Sequence, residues 1–318
     1  MNPKISVLMP VFNGQAYLER AVDSVLAQTF PAFEFVIVDD GSKDKTPEIL
    51  KRYAGRDGRI RIYTHGKNRG IVDSLNLGLE KCGTDYVARM DADDICESSR
   101  LAEQHQYLEN HRDHVLVGTQ AHFIDAEGNR KGETRLPTRD RDIRKELFYG
   151  RNVIFHSTVM FKNNFAFLYR AEAYPAEDYD LWLRLLKKGK AANLNERLMD
   201  YRLNPGGVSF LNAVRQVEVT QEIRDRVLFR AEEGLSRTPG KTRNLYGKCL
   251  QKISNLKLYS AKWLVMKALL VLLNPSELIR MKYFRWIEKY SHYQDYAHFV
   301  HGAREPRDPE TSAMNLTE

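Results

Sequence analysis

Hydrophobic positions along the first part of the chain alternate between two periods. Ile5–Val11 is a short, nearly continuous apolar run, the pattern of a buried strand, and Leu18, Ala21, Val22, Val25 and Leu26 then fall at i, i+3, i+4, i+7 and i+8, one apolar helical face. Phe33–Val38 is a second strand, ending in Asp39-Asp40-Gly41-Ser42. Thr46-Pro47 opens a helix, with a hydroxyl before a proline at the first helical position, and Gly55 stops it. Arg59–Tyr63 predicts a strand, Ile71–Lys81 a helix and Tyr86–Met90 a fourth strand, which runs into Asp91-Ala92-Asp93-Asp94. This alternation implies an α/β fold with a mostly parallel sheet flanked by helices.

Beyond Ser98 the pattern loosens. It predicts helices over Arg100–His111, Asp140–Phe148 and Glu177–Lys188, the last ended by Gly189, and strands over Val115–Ile124 and Ser157–Phe161. Asn204-Pro205-Gly206-Gly207 is a strong break. The expected organisation is a catalytic domain over 1–210, a basic helical appendage over 211–302 and a disordered tail over 303–318.

Composition narrows the class. With 318 residues, 42% hydrophobic and 29% charged, the chain can bury a sizeable core. Three dispersed cysteines, Cys82, Cys96 and Cys249, fit a reducing compartment without disulfides or structural zinc. The N-terminal apolar stretch is short and interrupted by Pro10, so it reads as a first strand rather than a signal peptide. No apolar run approaches the roughly 20 residues that a spanning helix needs. Charge is uneven: residues 241–290 hold eleven Lys/Arg against Glu277 and Glu288, an excess of nine in a chain whose net charge is +7, so the remainder is slightly acidic.

Three acidic constellations carry candidate chemistry. Asp91, Asp93 and Asp94 stand at the carboxyl end of a predicted strand, where open α/β sheets bind ligands. Clustered carboxylates repel unless a cation joins them, and Mg²⁺ or Mn²⁺ prefers oxygen ligands shared with substrate phosphates. An acidic turn capping the next helix explains the same residues equally well when they are taken alone. At Asp39-Asp40-Gly41-Ser42 a carboxylate can accept from a uracil N–H or a ribose hydroxyl; alone, an Asp-Gly turn with Asp44 and Thr46 capping the following helix is the simpler account. Asp178 shares a helical face with Leu181, Trp182 and Leu185. A carboxylate aimed at an apolar face has a raised pKa, which suits a general base.

Together these stretches, in order, resemble the family-2 inverting glycosyltransferases of the GT-A fold. The matching segments are Ser6–Asn13, Ser24–Thr29, Val36–Thr46, Asn68-Arg69-Gly70, Asn76-Leu77-Gly78, Tyr86–Asp94, Arg100-Leu101 with Gln104, His156–Met160 and Glu177–Trp182, over about residues 4–205. The resemblance implies that Pro10, Val11 and Asp40 line the nucleotide pocket, and that Asp91 and Asp93 form a DxD motif holding the metal and donor diphosphate, with Asp94 as a further metal contact. It makes Asp178 the catalytic base ahead of Glu177 and Asp180, and puts His156 and Arg89 in the site without assigned roles. The implied cofactor is Mn²⁺ or Mg²⁺, the implied donor a nucleotide-sugar, in the first instance a UDP-sugar, and the implied acceptor a glycan or lipid-linked glycan in cell-surface polysaccharide synthesis. A catalytically inactive nucleotide-sugar or glycan binding protein is the alternative on the same fold.

Two departures matter. Glu97-Ser98-Ser99 precedes Arg100 where family members often carry a proline, and there is no QxxRW motif, which argues against a processive synthase. Trp263–Leu273 is an eleven-residue apolar run among lysines, followed by aromatic residues such as Tyr283, Phe284 and Trp286. That combination suits a helix lying in an anionic membrane interface, and a helix packed on the catalytic domain competes with it. The expected location is cytoplasmic, peripheral on the inner face of the membrane. No nucleic-acid recognition motif accompanies the basic region, so no nucleic acid is expected as a partner.

Overall fold

The computed structural model describes residues 2–164, 167–204 and 211–235. The first half follows the strand–helix alternation: β1 Ile5–Val11, α1 Leu18–Leu26, β2 Phe33–Asp39, α2 Thr46–Ala54, β3 Ile60–Thr64, α3 Ile71–Lys81 and β4 Tyr86–Arg89. Then come β5 Ile95–Cys96, α4 Arg100–Asn110, β6 His114–Ile124, β7 Arg130–Glu133, α5 Asp140–Phe148, β8 Met160–Lys162, α6 Glu177–Leu185, β9 Lys190–Arg202 and α7 Ala213–Leu235.

The described strands form one sheet in the order β3-β2-β1-β4-β8-β6-β9-β5, with β7 added to β6. β3, β2, β1 and β4 run parallel, as the alternation predicts. Past β4 the sheet is mixed: β8 is antiparallel to both β4 and β6, while β6 and β9 are parallel. Alternate residues of the central strands feed two cores. Leu8, Val36, Val38 and Val87 pack with α3, α5, α6 and α7 on one face. Val7, Met9, Phe35 and Ile37 pack with α1, α2 and α4 on the other. Strands buried on both faces read as continuous apolar runs, which is why the first half is so legible.

Several motif residues act as struts behind the site. The buried Arg100 donates to the carbonyls of Arg89 (2.7 Å) and Val159 (3.2 Å), and Gln104 donates to those of Val117 and Thr158. Gln28 bridges the Glu97 carbonyl and the Leu101 N–H. Both described cysteines, Cys82 and Cys96, are buried and free.

The chain divides into two compact units, Met1–Arg230 and Ala231–Glu318. The expected boundary at 210, the run Trp263–Leu273, the downstream aromatics and the tail 303–318 lie outside the described residues. No described helix is long and apolar enough to cross a membrane.

Candidate active site

The site lies beyond the carboxyl ends of β1, β2 and β4. Leu8 accepts from the Met90 N–H, so Leu8 and every second residue after it face β4. The β1–β4 register ends at Leu8↔Arg89. Pro10 therefore lacks its N–H at the point where β4 has parted from β1, and the crevice opens there without an orphaned donor. Val11 is buried and Pro10 half-buried on its wall.

The loops after β1 and β2 are laced together. Ser42 Oγ accepts from the Asn13 N–H, Asn13 Oδ1 from Lys43, Thr46 Oγ1 from Gly14 and Asp44 Oδ2 from Gln15, at 2.8–3.0 Å. Asp44 also accepts from the Thr46 N–H, but α2 starts from Lys45 without a side-chain cap, and the Thr46 hydroxyl expected to cap it serves the Gly14 N–H instead. Gly41 has φ +74°, and a Cβ on it would lie 2.7 Å from the Lys67 carbonyl carbon, so only glycine fits. The buried Asp40 uses both carboxylate oxygens, accepting from Arg69 and Gly70 N–H at 2.8 Å each. It fixes the segment entering α3 beside the end of β2.

The chain leaving β4 brings Asp91, Asp93 and Asp94 together, with one carboxylate oxygen of each within 4.8 Å of the others. Arg89, 2% exposed, forms an ion pair with Asp91. Asp93 accepts from Asn204 Nδ2 at 3.1 Å; burial and then the Asp91 charge raise its pKa. Asp94 is buried and accepts from the Arg202 N–H at 2.7 Å, while its Oδ2 has no hydrogen-bond partner. Burial, reinforced by Asp93 and Asp91, holds its pKa well above the usual carboxylate range. Hard oxygen donors that repel one another, one of them buried and unpartnered, fit a divalent cation. Arg202 closes this side from β9, donating to the Asp93 and Ala126 carbonyls and lying 4.3 Å over the Tyr17 ring.

A second group approaches from β8 and α6. Asp178 and Glu177 occupy the first turn of α6 and both are buried. Asp178 accepts from Asn152 Nδ2 at 2.8 Å and from the Tyr179 N–H at 2.7 Å. Burial pushes its carboxyl up to about 6, against the pull of those hydrogen bonds and of Arg89. Glu177 is pushed up to about 7 by burial and then by Asp178. Leu181, Trp182 and Leu185 are fully buried on the same side, so Asp178 does stand on an apolar helical face. Asp180 instead pairs with Arg184 at 2.8 Å. His156 Nε2 and the Tyr169 hydroxyl are 2.8 Å apart, and Asn76 clamps the Tyr169 backbone with bonds to both its N–H and its C=O. Burial, then the Arg89 charge, keep the His156 imidazole neutral.

Arg89 thus lies in the field of both groups: its charge pulls down the carboxyls of Asp93, Glu177 and Asp178. Residues with no signal in the local sequence complete the arrangement. Asn152, Tyr169, Arg202 and Asn204 come from loops or from β9, and only the tertiary fold shows what they touch.

A sheet cored on both faces, with clustered carboxylates beyond the ends of its parallel strands, has the layout of a nucleotide-sugar-binding fold, and the sequence comparison supplies the class, a glycosyltransferase. The sequence profile of "Glycosyl transferase family 2" matches residues 6–175, and the chain belongs to that family. It is 34% identical to the Escherichia coli O-antigen biosynthesis glycosyltransferase WbnJ, over 63% of this chain and 80% of that one. Among solved structures it resembles S. aureus TarS 1-349 in complex with UDP, with TM-score 0.53 and 19% identity over 68% of this chain and 65% of that one. It also resembles the mannosyltransferase PcManGT from Pyrobaculum calidifontis in complex with GDP-Man and Mn²⁺, with TM-score 0.51 and 16% identity over 87% and 83%.

Proposed function

We propose that this glycosyltransferase is metal-dependent and inverting, moving a sugar from a nucleotide-sugar, a UDP-sugar in the first instance, to a hydroxyl of a glycan or lipid-linked glycan in cell-surface polysaccharide synthesis. The observation that carries this reading is the meeting of two carboxylate groups, Asp91/Asp93/Asp94 and Glu177/Asp178, around the buried Arg89. The TarS complex with UDP, the PcManGT complex with GDP-Man and Mn²⁺, and the O-antigen role of WbnJ support the donor class, the metal and the pathway respectively.

In this reading Pro10, Val11 and Asp40 shape the nucleotide side of the crevice, Asp40 through the Arg69–Gly70 backbone it holds. Asp91, Asp93 and Asp94 would hold Mn²⁺ or Mg²⁺, which when bound supplies Lewis-acid stabilisation of the departing diphosphate. Asp178 takes the proton from the acceptor hydroxyl as that oxygen attacks the anomeric carbon; the nucleoside diphosphate leaves from the opposite face, so configuration inverts. Asn152 orients the Asp178 carboxylate. Neutral His156, held by Tyr169, borders the acceptor side without competing for the proton. The enzyme works in the cytoplasm, and its C-terminal region, residues 211–302, brings it to the inner face of the membrane.

The test is transfer across a panel of nucleotide-sugars with Mn²⁺, comparing wild type with Asp93→Ala and Asp178→Asn. Metal-dependent use of a donor, lost in both variants, is the expected result. Metal-dependent UDP binding with no turnover against any glycan or lipid-linked acceptor would instead favour a binding protein.

A further inference from the structure

The outward side of α6 is unused by the transfer chemistry. With the end of α5 and the middle of α7 it forms two adjoining hollows of about 130 Å³ and 230 Å³, which share Leu183, Lys187 and Val227. Their floor is apolar, and Phe148 and Val227 on it are 48% and 36% exposed, a cost for large hydrophobic groups left in water. Around the floor stand Arg144, Arg170, Arg184, Lys187, Arg224 and Arg226, against one lining carboxylate, Asp180. Arg144, Arg184 and Arg224 are tied to Asp140, Asp180 and Asp225 at 2.6–2.8 Å. Lys187 and Arg226 are exposed and make no ion pair among the described residues.

We propose that this face of α5, α6 and α7 docks on an anionic lipid bilayer, with Phe148 and Val227 entering the headgroup boundary and Lys187 and Arg226 engaging lipid phosphates. An apolar strip beside two exposed cations matches an interface that is greasy below and negative above. The chain's own C-terminal segment is a poorer occupant, because residues 241–290 carry the same sign of charge, an excess of nine. The placement also serves the site. α6 is nine residues long, about 13 Å at 1.5 Å per residue, with Asp178 in its first turn and Lys187 just past its end. A lipid-linked acceptor in the docked leaflet then presents its sugar beside the base. The inference rests on the lipid-linked acceptor reading, but its readout, vesicle binding, is separate from transfer.

The experiment is flotation of the full chain with vesicles of phosphatidylcholine, with and without phosphatidylglycerol. Wild type floats with the anionic vesicles only. The double variant Lys187→Glu/Arg226→Glu, at exposed positions that the fold does not need, loses at least about tenfold in lipid affinity, each cation near such a surface contributing on the order of fivefold. Lys187→Arg/Arg226→Lys keeps the affinity, and Phe148→Ser weakens it. A double variant that floats like wild type overturns the proposal, as does a wild type that floats with neither vesicle or equally with both. Binding to duplex DNA that the double variant abolishes, without vesicle binding, would make the face a nucleic-acid surface instead. If the vesicles bind as expected while no lipid-linked acceptor is used, the docking face stands and the acceptor assignment fails.

Discussion

Arg89 and Asp91 are ion-paired at the carboxyl end of β4, with the guanidinium buried and the carboxylate still partly open to solvent. That pair supplies the buried positive charge on which Asp93, Glu177 and Asp178 all draw. Arg89→Met removes it and leaves Asp91 beside two further carboxylates. Breaking a buried pair costs about 3–5 kcal/mol, so the urea midpoint falls. Because the carboxylates then lack their cation, Mn²⁺ should recover more stability in the variant than in wild type. Equal recovery in both would show that Arg89 and the metal do not share the same carboxylates.

As the proposed base, Asp178 acts only when ionised. Its carboxyl and that of Glu177 are raised by burial to about 6 and about 7, and they titrate as a pair. The rate constant kcat/KM therefore climbs with pH through roughly that window and falls away below it. Asp178→Asn lowers kcat by about 10²–10⁴ with nucleotide affinity retained. Glu177, the higher of the two, is still largely protonated where Asp178 ionises, and it is the Asp178 charge that raises it, so Glu177→Gln should leave the acid limb near its wild-type position. A limb that moves or disappears in that variant would mean that the rate reports Glu177 instead.

Much of this was legible in the sequence, for a physical reason. β1, β2 and β4 are buried on both faces, so their apolar runs have sharp ends, and the acidic residues at those ends stand where a parallel sheet opens. β9 was not legible: Asn195, Glu196 and Arg197 interrupt its apolar positions with exposed or half-exposed groups. Its strand exists through pairing with β6 rather than through local pattern. β7 is exposed throughout and β5 is two residues long, so neither carries a periodic signal. The strand expected at Ser157–Phe161 begins later, because His156–Thr158 forms a tight helical turn that aims His156 at Tyr169. α6 ends at Leu185, three residues before its expected end, since β9 starts at Lys190. Arg202 and Asn204 reach the acidic motif only because β9 lies beside β5.

Asp40 was expected at the nucleotide base, and its carboxylate is committed to the backbone of Arg69 and Gly70. Asp40→Ala leaves those two N–H groups without their acceptor, at about 1–3 kcal/mol per buried unsatisfied group. Both thermal stability and UDP affinity should fall. Asp40→Asn keeps one acceptor and should recover part of each. If stability falls while UDP affinity is unchanged, the α3 entry segment does not form part of the nucleotide pocket.

The Asp94 carboxyl gives the metal reading a test that needs no substrate. Its pKa is raised by burial and by Asp93 and Asp91, so the folded protein binds its proton more tightly than the unfolded chain does. Between the ordinary carboxylate pKa and that raised value the folded state therefore loses stability as pH rises, and above the raised value it bears the whole penalty. In EDTA, lowering the pH from 7 toward 5 should stabilise wild type. Asp94→Asn, which keeps the acceptor for the Arg202 N–H, should be more stable than wild type at pH 7 and show a shallower pH slope. Mn²⁺ should raise the melting temperature of wild type at pH 7, because a bound cation takes over the role of the proton. It should do so much less for Asp94→Asn. A variant that gains as much from Mn²⁺ as wild type would remove Asp94 from the metal site and leave its buried charge as a purely structural cost.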